Sequence, residues 1–530
     1  MSGLLKKDFH SRFFQPPMTL QDKVVLPSRG SYTITLQLAA VMCCVTVCGG
    51  TPDPSQRETM LHQEDPRQTG GRVQLTGAEQ QLDTHFHKLK EQEMAVAQFP
   101  PAIHFFKARR HIHRSPIFSL LQIMPKGAAL HIHSLSLVSV DWLVKNITYR
   151  PHCYICFTWG RSVRFVFSTW DCLYWQLLKT LRANMAYPTD FDYSLMQNLT
   201  LSTDDPNNTN PSQDAVWERF EMAFVAIAGL VSYAPVFKDF LYKGLEQLFH
   251  DNIMYLELRT ELSRVSTVGL NRNIHDKAWS LRTYQEGTHQ FVAEHPGFLG
   301  AQLIISVPRV LSVSDVKAAV KEAIQMQKDF PEFVAGFDLV RILLRGRTMF
   351  FCGFRLASSL PAELGVTLPY FFHAGETDHE GTEVDENILD ALLFNTTRIG
   401  HGRDNGYALA HHPLAKELSM KDNVAVEVCP ISNQVLKLVS NLRNHPAAVL
   451  MSEGYPMVVS SDDPSLFGTT ERSYDFYEVF VGIGGLRANL GTLKELAINS
   501  IRYSSLPSQL KERGLAMWQR MWDKFISENS

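Results

Sequence analysis

The chain has 530 residues, of which 45% are hydrophobic and 20% are charged, as is typical of a globular protein. This length allows one large catalytic domain with additional segments. The formal net charge of −3 argues against a nucleic acid or an anionic membrane as partner, because proteins that bind them usually carry a basic surplus on one face.

Residues 1–50 are predicted to be a targeting leader. Basic residues precede an apolar run from Tyr32 to Val47, and small residues follow it, as in an export signal. The run is short for a membrane span. A cleaved or uncleaved signal, and therefore secretion, is the favoured interpretation. A single-pass anchor and a wrongly assigned first exon are the alternatives.

Glycosylation sites and cysteines agree with export. Four acceptor sequences are present, at Asn146, Asn198, Asn207 and Asn395. The Cys153-x-x-Cys156 pair has no second pair to complete a zinc ribbon. We therefore predict a disulfide between Cys172 and either Cys156 or Cys153, which an extracellular protein can keep oxidised.

Residues 51–124 are predicted to form an N-terminal helical region. Segments 79–97 and 117–124 have apolar residues at helical spacing. Their apolar faces could pack on the main domain or on a second subunit, which would make the protein a homodimer.

Eight short apolar segments then alternate with helical patterns, which predicts an α/β fold of the (β/α)₈ TIM-barrel type. The predicted strands are 127–133, 253–258, 299–307, 333–340, 368–373, 397–401, 424–428 and 456–461. Predicted helices between them include 313–328, 386–393, 414–420 and 434–442.

The connection after the first strand is too long for a single helix. We assign 146–211 to an inserted subdomain and 125–145 with 212–530 to the barrel, since long insertions after barrel strands usually form accessory structures. Helices at 217–230 and 236–250 are expected to lead back to the barrel, and 492–526 has a helical pattern.

Several strands end in residues that bind metals or transfer protons. In His131-x-His133 the two imidazoles share one face of a strand, because side chains alternate along it. His373 and Asp462 follow other strands, and three imidazoles with one carboxylate suit a catalytic Zn²⁺ that activates water. Glu376 is the candidate general acid, His401 the residue that orients water, and Asp463 a hydrogen-bond acceptor for the substrate. Alternatively, either His373 or His401 could lie behind the metal ligands and only support them by hydrogen bonds.

These motifs resemble those of adenosine deaminases. The similar runs are 124–133, 372–377, 398–402, 427–433 and 460–464, and segments 142–158, 217–237 and 473–485 resemble the secreted type-2 branch, the adenosine deaminase growth factors. The resemblance extends from about residue 73 to residue 526.

The resemblance implies hydrolytic deamination of adenosine or 2'-deoxyadenosine, one zinc ion per subunit, secretion, a homodimer formed through the N-terminal helices, and a receptor-binding-type insertion with a cell-surface receptor or glycosaminoglycan as partner. By position, the zinc ligands are His131, His133, His373 and Asp462, and the catalytic residues are Glu376, His401 and Asp463. The substrate-binding positions are Ser134, Trp217 and Asp463.

The chain departs from the family pattern at substrate-positioning residues. Ser134 stands where the family has an aspartate, and Pro308 where type-2 members have a histidine. Arg341 replaces a glycine at the start of the unusual segment 341–363, and residues 403–406 look inserted. Two other functions therefore stay open, namely a catalytically weak growth-factor-like binding protein and a different metal-dependent hydrolase on the same scaffold.

Overall fold

The computed structural model describes residues 53–158, 162–167, 174–262, 265–267, 274–309, 311–340, 360–376, 386–401, 409, 412–469 and 471–530. The chain forms two compact units, residues 1–62 and 63–530. In the first unit, residues 53–62 are described, and 54–62 of them belong to helix Pro54–Glu64, none of whose residues is buried. None of the helices in these ranges is long and apolar enough to cross a membrane. The predicted leader, Cys172, residues 341–359 and residues 403–406 lie outside the described residues.

Eight parallel strands form a barrel, which confirms the predicted fold class. We number only these strands: β1 Gly127–His133, β2 Ile253–Thr260, β3 Gly300–Pro308, β4 Val334–Val340, β5 His373–Ala374, β6 Arg398–His401, β7 Ala425–Val428 and β8 Met457–Val459. Strands β1–β4 and β5–β8 each pair in chain order. Single parallel bridges, Phe337 to Tyr370 and Ile132 to Asp462, join the two groups into a ring.

The barrel interior is apolar at one end and charged in the middle. Ala128, Tyr255 and Val458 belong to an apolar cluster that spans β1, β2 and β8. Beyond this cluster, Glu257 and Arg259 follow Tyr255 on the same face of β2, since side chains alternate along a strand. The carboxyl end of the barrel is therefore preceded by a layer of buried charge, which positions the candidate site.

Helices surround the barrel in the alternation that the sequence predicts. The helices that follow the barrel strands are Lys277–Glu294, Val313–Asp329, Asn387–Leu393, Pro413–Lys421, Pro430–Val435, Ala447–Ser452 and Ser473–Tyr477, the last continued by a π-helical turn at Glu478–Ile483. Two longer helices, Leu490–Arg502 and Ser508–Asn529, complete the chain.

The N-terminal helices of the second unit pack on the main domain. They are Gly77–Met94, Phe105–Ile112 and Pro116–Ile123. Helix Gly77–Met94 starts with a capping box between Thr76 and Glu79 and buries Leu82 and Phe86. The Glu79 carboxylate accepts hydrogen bonds from Lys494 and Trp522, so this helix is fixed to both C-terminal helices. Of the two predicted alternatives for its apolar face, the structure shows packing on the main domain.

The long connection after β1 forms a small α/β subdomain. It begins with the short helix Val140–Trp142 and a π turn, Leu143–Ile147, and contains a three-stranded antiparallel sheet of Tyr154–Phe157, Val163–Val166 and Gln176–Leu177. Helices Leu178–Ala183, Pro188–Asn198 and Pro206–Thr209 follow, and Gln213–Val231 and Ala234–His250 return to β2. A two-stranded ribbon, Val265–Ser266 with Ile274–His275, follows β2.

One helix prediction is wrong. The predicted helix 434–442 ends at Val435, because Lys437 has a φ of 60° and the N–H groups of Leu438 and Val439 both bind the Asn433 carbonyl. The segment 492–526, which has a helical pattern, is helical in the structure and forms two helices that are separated by residues 503–507.

Candidate metal centre and active site

The structure brings together the four side chains that the sequence predicts as metal ligands. One nitrogen or oxygen atom from each of them lies within 4.8 Å of the corresponding atoms of the others. His131, His373 and Asp462 are buried, and His133 lies at the edge of the pocket above them. The residues are His131, His133, His373 and Asp462.

A bulge in β1 brings both of its histidines into the barrel. The pairing of β1 with β2 shifts register between Ala129 and Ile132, so that Leu130 packs in the interior cluster while His131 and His133 still face the site. The Leu130 carbonyl accepts a hydrogen bond from Arg259, which fixes the bulge.

Buried carboxylates orient two of the imidazoles. The Nδ1 atom of His131 lies 2.7 Å from Glu427, and the Nδ1 atom of His373 lies 2.6 Å from Asp338. The Nε2 atoms of both rings therefore remain for a metal ion, the arrangement that fixes tautomer and ring direction in metal sites. Nε2 of His131 is buried and has no hydrogen-bond partner among the described residues. A buried ring nitrogen without a hydrogen-bond partner, next to three other potential ligand atoms, fits a metal ion.

Asp462 presents one oxygen to the histidines. Its Oδ1 atom lies 3.3 Å from Nε2 of His131 and 3.1 Å from Nε2 of His133, while Oδ2 accepts a hydrogen bond of 2.7 Å from Ser432. Three nitrogens and one carboxylate oxygen thus surround a common point, with Ser432 holding the carboxylate plane. The site is able to bind a metal ion of the kind that prefers mixed nitrogen and oxygen ligands.

The layer of charge below the site is a continuous network. Arg259 pairs with Asp338 at 2.9 Å and with Glu427 at 2.7 Å, and Arg398 pairs with Glu427 and Glu257, each at 2.6 Å. All five side chains are fully buried. Burial raises the pKa of Glu427, but the charges of Arg259 and Arg398 lower it by more. The pKa of Glu427 therefore lies well below its usual range. Burial raises the pKa of Asp338 as well, but His373 and Arg259 lower it by more, so both carboxylates that support the imidazoles are held ionised.

The electrostatic environment favours neutral imidazoles at two positions. Burial holds the pKa of His131 below its usual value and that of His373 well below it, although Asp338 beside His373 opposes the shift. Neutral imidazole is the form that binds metals. Burial also lowers the pKa of His133, but Asp463 and Asp462 raise it to about 9.

The candidate proton-transfer residues lie next to the four ligands. Nε2 of His401 is 3.4 Å from Glu376 and 3.8 Å from Oδ2 of Asp462. Burial lowers the pKa of His401, which favours its neutral form as a proton acceptor. Glu376 is buried and His401 is almost fully enclosed. The distances place an acid–base pair beside the candidate metal position.

Asp463 differs electrostatically from its neighbour Asp462. Burial and the charge of Asp462 hold the pKa of Asp463 well above its usual range. Burial also raises the pKa of Asp462, but His401, His131 and His133 lower it by more, so it lies well below its usual range. A protonated carboxyl can donate as well as accept a hydrogen bond. Asp463 can therefore bind either kind of polar atom on a ligand.

A pocket of about 450 Å³ opens above the site, and its size is typical of small-molecule pockets. Trp217, Phe220 and Phe224 of helix Gln213–Val231 form its apolar wall, and Ser134 and Pro308 also line it. Burial raises the pKa of Tyr284 to about 12, against the effect of hydrogen bonds with Thr260 and Ser134.

The other predicted residues lie away from this site or outside the described residues. Cys153 and Cys156 are both buried, and neither forms a disulfide with another described cysteine. Since Cys172 is not described, the disulfide remains a prediction. All four predicted glycosylation asparagines have exposed side chains, namely Asn146, Asn198, Asn207 and Asn395.

Sequence reasoning missed the residues that support the ligands. Each is a charged residue within a buried strand, and such a residue is costly unless it is paired. A charged residue inside an otherwise apolar strand segment is therefore the signal that could have identified them from the sequence. The missed residues are Glu257, Arg259, Asp338, Arg398 and Glu427, and Ser432 after β7 carries no comparable signal.

Comparisons with known proteins agree with this geometry. The family model described as Adenosine deaminase matches residues 187–517, and Adenosine/AMP deaminase N-terminal matches residues 54–121. Adenosine deaminase 2-A of Danio rerio is 52% identical over 495 residues, which are 92% of this chain and 97% of the relative. Adenosine deaminase 2 of Homo sapiens is 46% identical over 482 residues, which are 89% of this chain and 93% of the relative.

Solved structures show the same fold at low sequence identity. Arabidopsis ADAL complexed with GMP has a TM-score of 0.53 at 17% identity, over 76% of this chain and 98% of that one. The adenine deaminase of Arthrobacter aurescens has a TM-score of 0.52 at 19% identity, over 76% of this chain and 99% of that one.

Proposed function

Since the chain belongs to the adenosine deaminase family, we propose that it catalyses the zinc-dependent hydrolysis of adenosine and 2'-deoxyadenosine to inosine or 2'-deoxyinosine and ammonia. The observation that carries the proposal is the placement of the acid–base pair Glu376 and His401 directly beside the four-ligand cluster, at the base of a pocket large enough for a nucleoside. The names of the relatives support adenosine as substrate.

Four residues would hold the zinc ion, namely His131, His133, His373 and Asp462. Three imidazoles and a carboxylate suit zinc better than magnesium or calcium, which prefer oxygen ligands. Bound there, zinc would supply a Lewis acid that lowers the pKa of water towards neutrality. Glu427 and Asp338 would keep the imidazoles in the ligating tautomer.

The protein side chains would direct the proton transfers. His401, with its lowered pKa, orients the attacking water and accepts its proton. Glu376, at 3.4 Å from His401, donates a proton to a purine ring nitrogen as the water oxygen adds to the carbon that bears the amino group. Asp463 forms a hydrogen bond with another polar atom of the base. His401 then passes the proton that it took from water to the amino group, which leaves as ammonia, and the new hydroxyl group returns a proton to Glu376.

The purine would lie in the apolar part of the pocket. Trp217 offers an aromatic surface there, and Ser134 and Asp463 are the proposed polar contacts. Because Ser134 has only a short, uncharged side chain and Pro308 has no side-chain donor, sugar positioning would be weak at these two places. This observation favours, as a second candidate, a catalytically weak member of the family that acts as a binding protein.

The remaining assignments are proposals that rest on sequence patterns. We propose a secreted protein with its leader at 1–50, a homodimer through the region 51–124, and a glycosylated subdomain at 146–211 that carries the Cys156–Cys172 disulfide and binds a receptor or glycosaminoglycan. Exposure of the four acceptor asparagines supports the glycosylation. Non-reducing peptide mapping would reject the disulfide if Cys153, Cys156 and Cys172 were all free.

An adenosine-to-inosine assay tests the main proposal. Absorbance should change on addition of adenosine, and a zinc chelator should abolish the change until zinc is restored. A protein that binds zinc but does not turn over adenosine would support the second candidate. Turnover that persists after complete removal of the metal would contradict the proposed mechanism.

A further inference from the structure

A second cavity, of about 420 Å³, shares no lining residue with the active-site pocket. It lies between the end of helix Phe105–Ile112 and the segment that follows Asp463 along the chain. Its volume falls within the range of about 300–1,000 Å³ that is usual for small-ligand sites. The charged residues that line it are Arg109, Arg110, His113, Arg114 and Glu471.

One arginine of this cavity is fixed and two are available. Nη1 of Arg109 donates a hydrogen bond of 2.5 Å to the Gly468 carbonyl, which ties the helix to the segment after β8. Arg110 and Arg114 are exposed in the single chain, and their guanidinium groups form no hydrogen bond or ion pair with any residue in the described ranges. Two unpaired guanidinium groups therefore lie beside a third that is held in place. Both lie in the region 51–124, through which we propose that the homodimer forms, so binding has to be measured on the oligomer.

The cavity is electropositive although the whole chain is slightly acidic. Three guanidinium groups line it against one carboxylate, Glu471, and that carboxylate already accepts a hydrogen bond of 2.8 Å from Gln122. The formal net charge of the chain is −3, so this surface differs in sign from the average. A concentration of one sign of charge in a concave surface attracts counter-ions.

We propose that this cavity binds a compact dianionic oxyanion, a phosphate or sulfate group, held between Arg110 and Arg114 with Arg109 behind them. The planar guanidinium group donates two parallel hydrogen bonds to such oxyanions, which is why arginine clusters bind them. The group could be a free inorganic ion or the sulfate ester of a sugar. Both sources present the same tetrahedral oxygens.

Calorimetry on the full-length protein, in the oligomeric state in which it is purified, tests this proposal. Inorganic phosphate and sulfate should each bind saturably at low ionic strength, and sodium chloride should weaken the binding because these exposed charges are screened. The variant Arg110→Gln/Arg114→Gln should lose at least ~10-fold in affinity, since charge-assisted hydrogen bonds are removed.

A matched control distinguishes binding at this cavity from a general effect of the protein's positive charges. Arg513→Gln/Arg520→Gln removes two exposed arginines from helix Ser508–Asn529 and should bind phosphate like the parent. If the double variant at the cavity does not fold, the single variants Arg110→Gln and Arg114→Gln replace it. Size-exclusion chromatography with light scattering checks that every variant keeps the parent's oligomeric state.

The source of the anion follows from two further titrations. A sulfated disaccharide that binds at least ~10-fold more tightly than inorganic sulfate, while the unsulfated disaccharide does not bind, identifies a sulfated sugar, because extra contacts add to the same charge pairing. Equal affinities identify a free-ion site. Absence of saturable binding by phosphate, sulfate and the sulfated disaccharide would overturn the proposal, as would an equal loss in the control variant.

Discussion

Asp462 and His401 combine reactive side chains with an unusual backbone. Their φ angles are 58° and 66°, in the left-handed region that residues other than glycine rarely adopt. Such conformations cost about 1–3 kcal/mol and persist where the surroundings fix them. Asp462 is fixed by backbone hydrogen bonds to His131 and His133 and by its side-chain contact with Ser432. The strain therefore coincides with the residues to which we assign metal binding and proton transfer.

The metal assignment predicts a specific loss on substitution. His131→Ala/His373→Ala removes two of four ligands, so the purified variant should retain no stoichiometric zinc in elemental analysis. His85→Ala/His87→Ala removes two exposed histidines from helix Gly77–Met94 and should keep one zinc per chain. Stoichiometric zinc in the first variant would rule out this site.

The role of Glu376 as general acid predicts lost turnover without lost metal. Glu376→Gln keeps the shape of the side chain but cannot transfer the proton, so turnover should fall by roughly 10²-fold or more while zinc stays bound. Steady-state kinetics and elemental analysis on the same sample measure both. The exposed Glu417 gives a control, since Glu417→Gln should behave like the parent. Unchanged turnover in Glu376→Gln would refute the role.

Glu427 should affect the metal through His131. Glu427→Gln weakens the acceptor 2.7 Å from Nδ1 of His131, and loss of such a partner typically lowers metal affinity ~10–100-fold. Glu257→Gln is the matched control, because Glu257 pairs with Arg398 in the same network but contacts none of the four ligands. Chelator competition measures the two affinities. Equal losses in both variants would mean that Glu427 acts only through barrel stability.

Among the elements, the barrel strands were predictable because apolar runs mark buried parallel strands. Six of the eight predicted segments are strand along most of their length. Segment 456–461 is strand only at Met457–Val459, and in 368–373 only His373 lies within β5. Before His373, the pairing with β4 consists of the single bridge at Tyr370. Length and apolar character predict the segment but not how many of its residues pair, which depends on the neighbouring strand.

Several elements depended on contacts that no local pattern reveals. The helix predicted across 434–442 ends early because Leu438 and Val439 bind back to Asn433. The break before Pro507 lets the Ser505 N–H reach Glu257 inside the barrel. Of the candidate site, the side chains to which we assign metal binding and proton transfer could be selected from the sequence, but the carboxylates that orient the imidazoles became visible only with the tertiary structure.

Glu79 links helix Gly77–Met94 to the C-terminal helices and predicts a pH-dependent stability. Burial raises its pKa, but Lys494, the Thr76 backbone and Trp522 lower it more, to about 2 from 4.5. Its contribution is therefore fully present above pH 4.5 and is lost as the pH falls through about 2. Glu79→Gln should cost about 1–3 kcal/mol at pH 7.

Urea unfolding at pH 7, 4.5 and 3 measures this contribution. The difference between the parent and Glu79→Gln should shrink as the pH falls below 4.5, because the unfolded parent then takes up the proton first. Glu91→Gln, on an exposed position of the same helix, should show little difference at any pH. A difference that is constant across this pH range would show that charge is not the cause.

On the scale of the whole molecule, the site spans the two places where the barrel is least paired. Between β8 and β1 the strands share one bridge, at Ile132 and Asp462, and three of the four ligands flank it. Between β4 and β5 the bridge is at Phe337 and Tyr370, and Asp338 crosses that boundary to bind the backbone N–H and the ring of His373. A metal ion held by His131, His133, His373 and Asp462 would therefore connect both halves of the barrel.

This arrangement predicts that metal removal destabilises the entire fold rather than the pocket alone. A ligand present at 100 times its dissociation constant stabilises the native state by about 2.7 kcal/mol, so chelation should lower the melting temperature of the parent by several degrees. The His131→Ala/His373→Ala variant should melt at the same temperature with and without chelator, since it has no metal to lose. Differential scanning calorimetry on both proteins makes the comparison, with zinc added back to the chelated parent as the control. If chelation leaves the parent's melting temperature unchanged although zinc is removed, the metal contributes chemistry only, and the two halves of the barrel are held together by the protein alone.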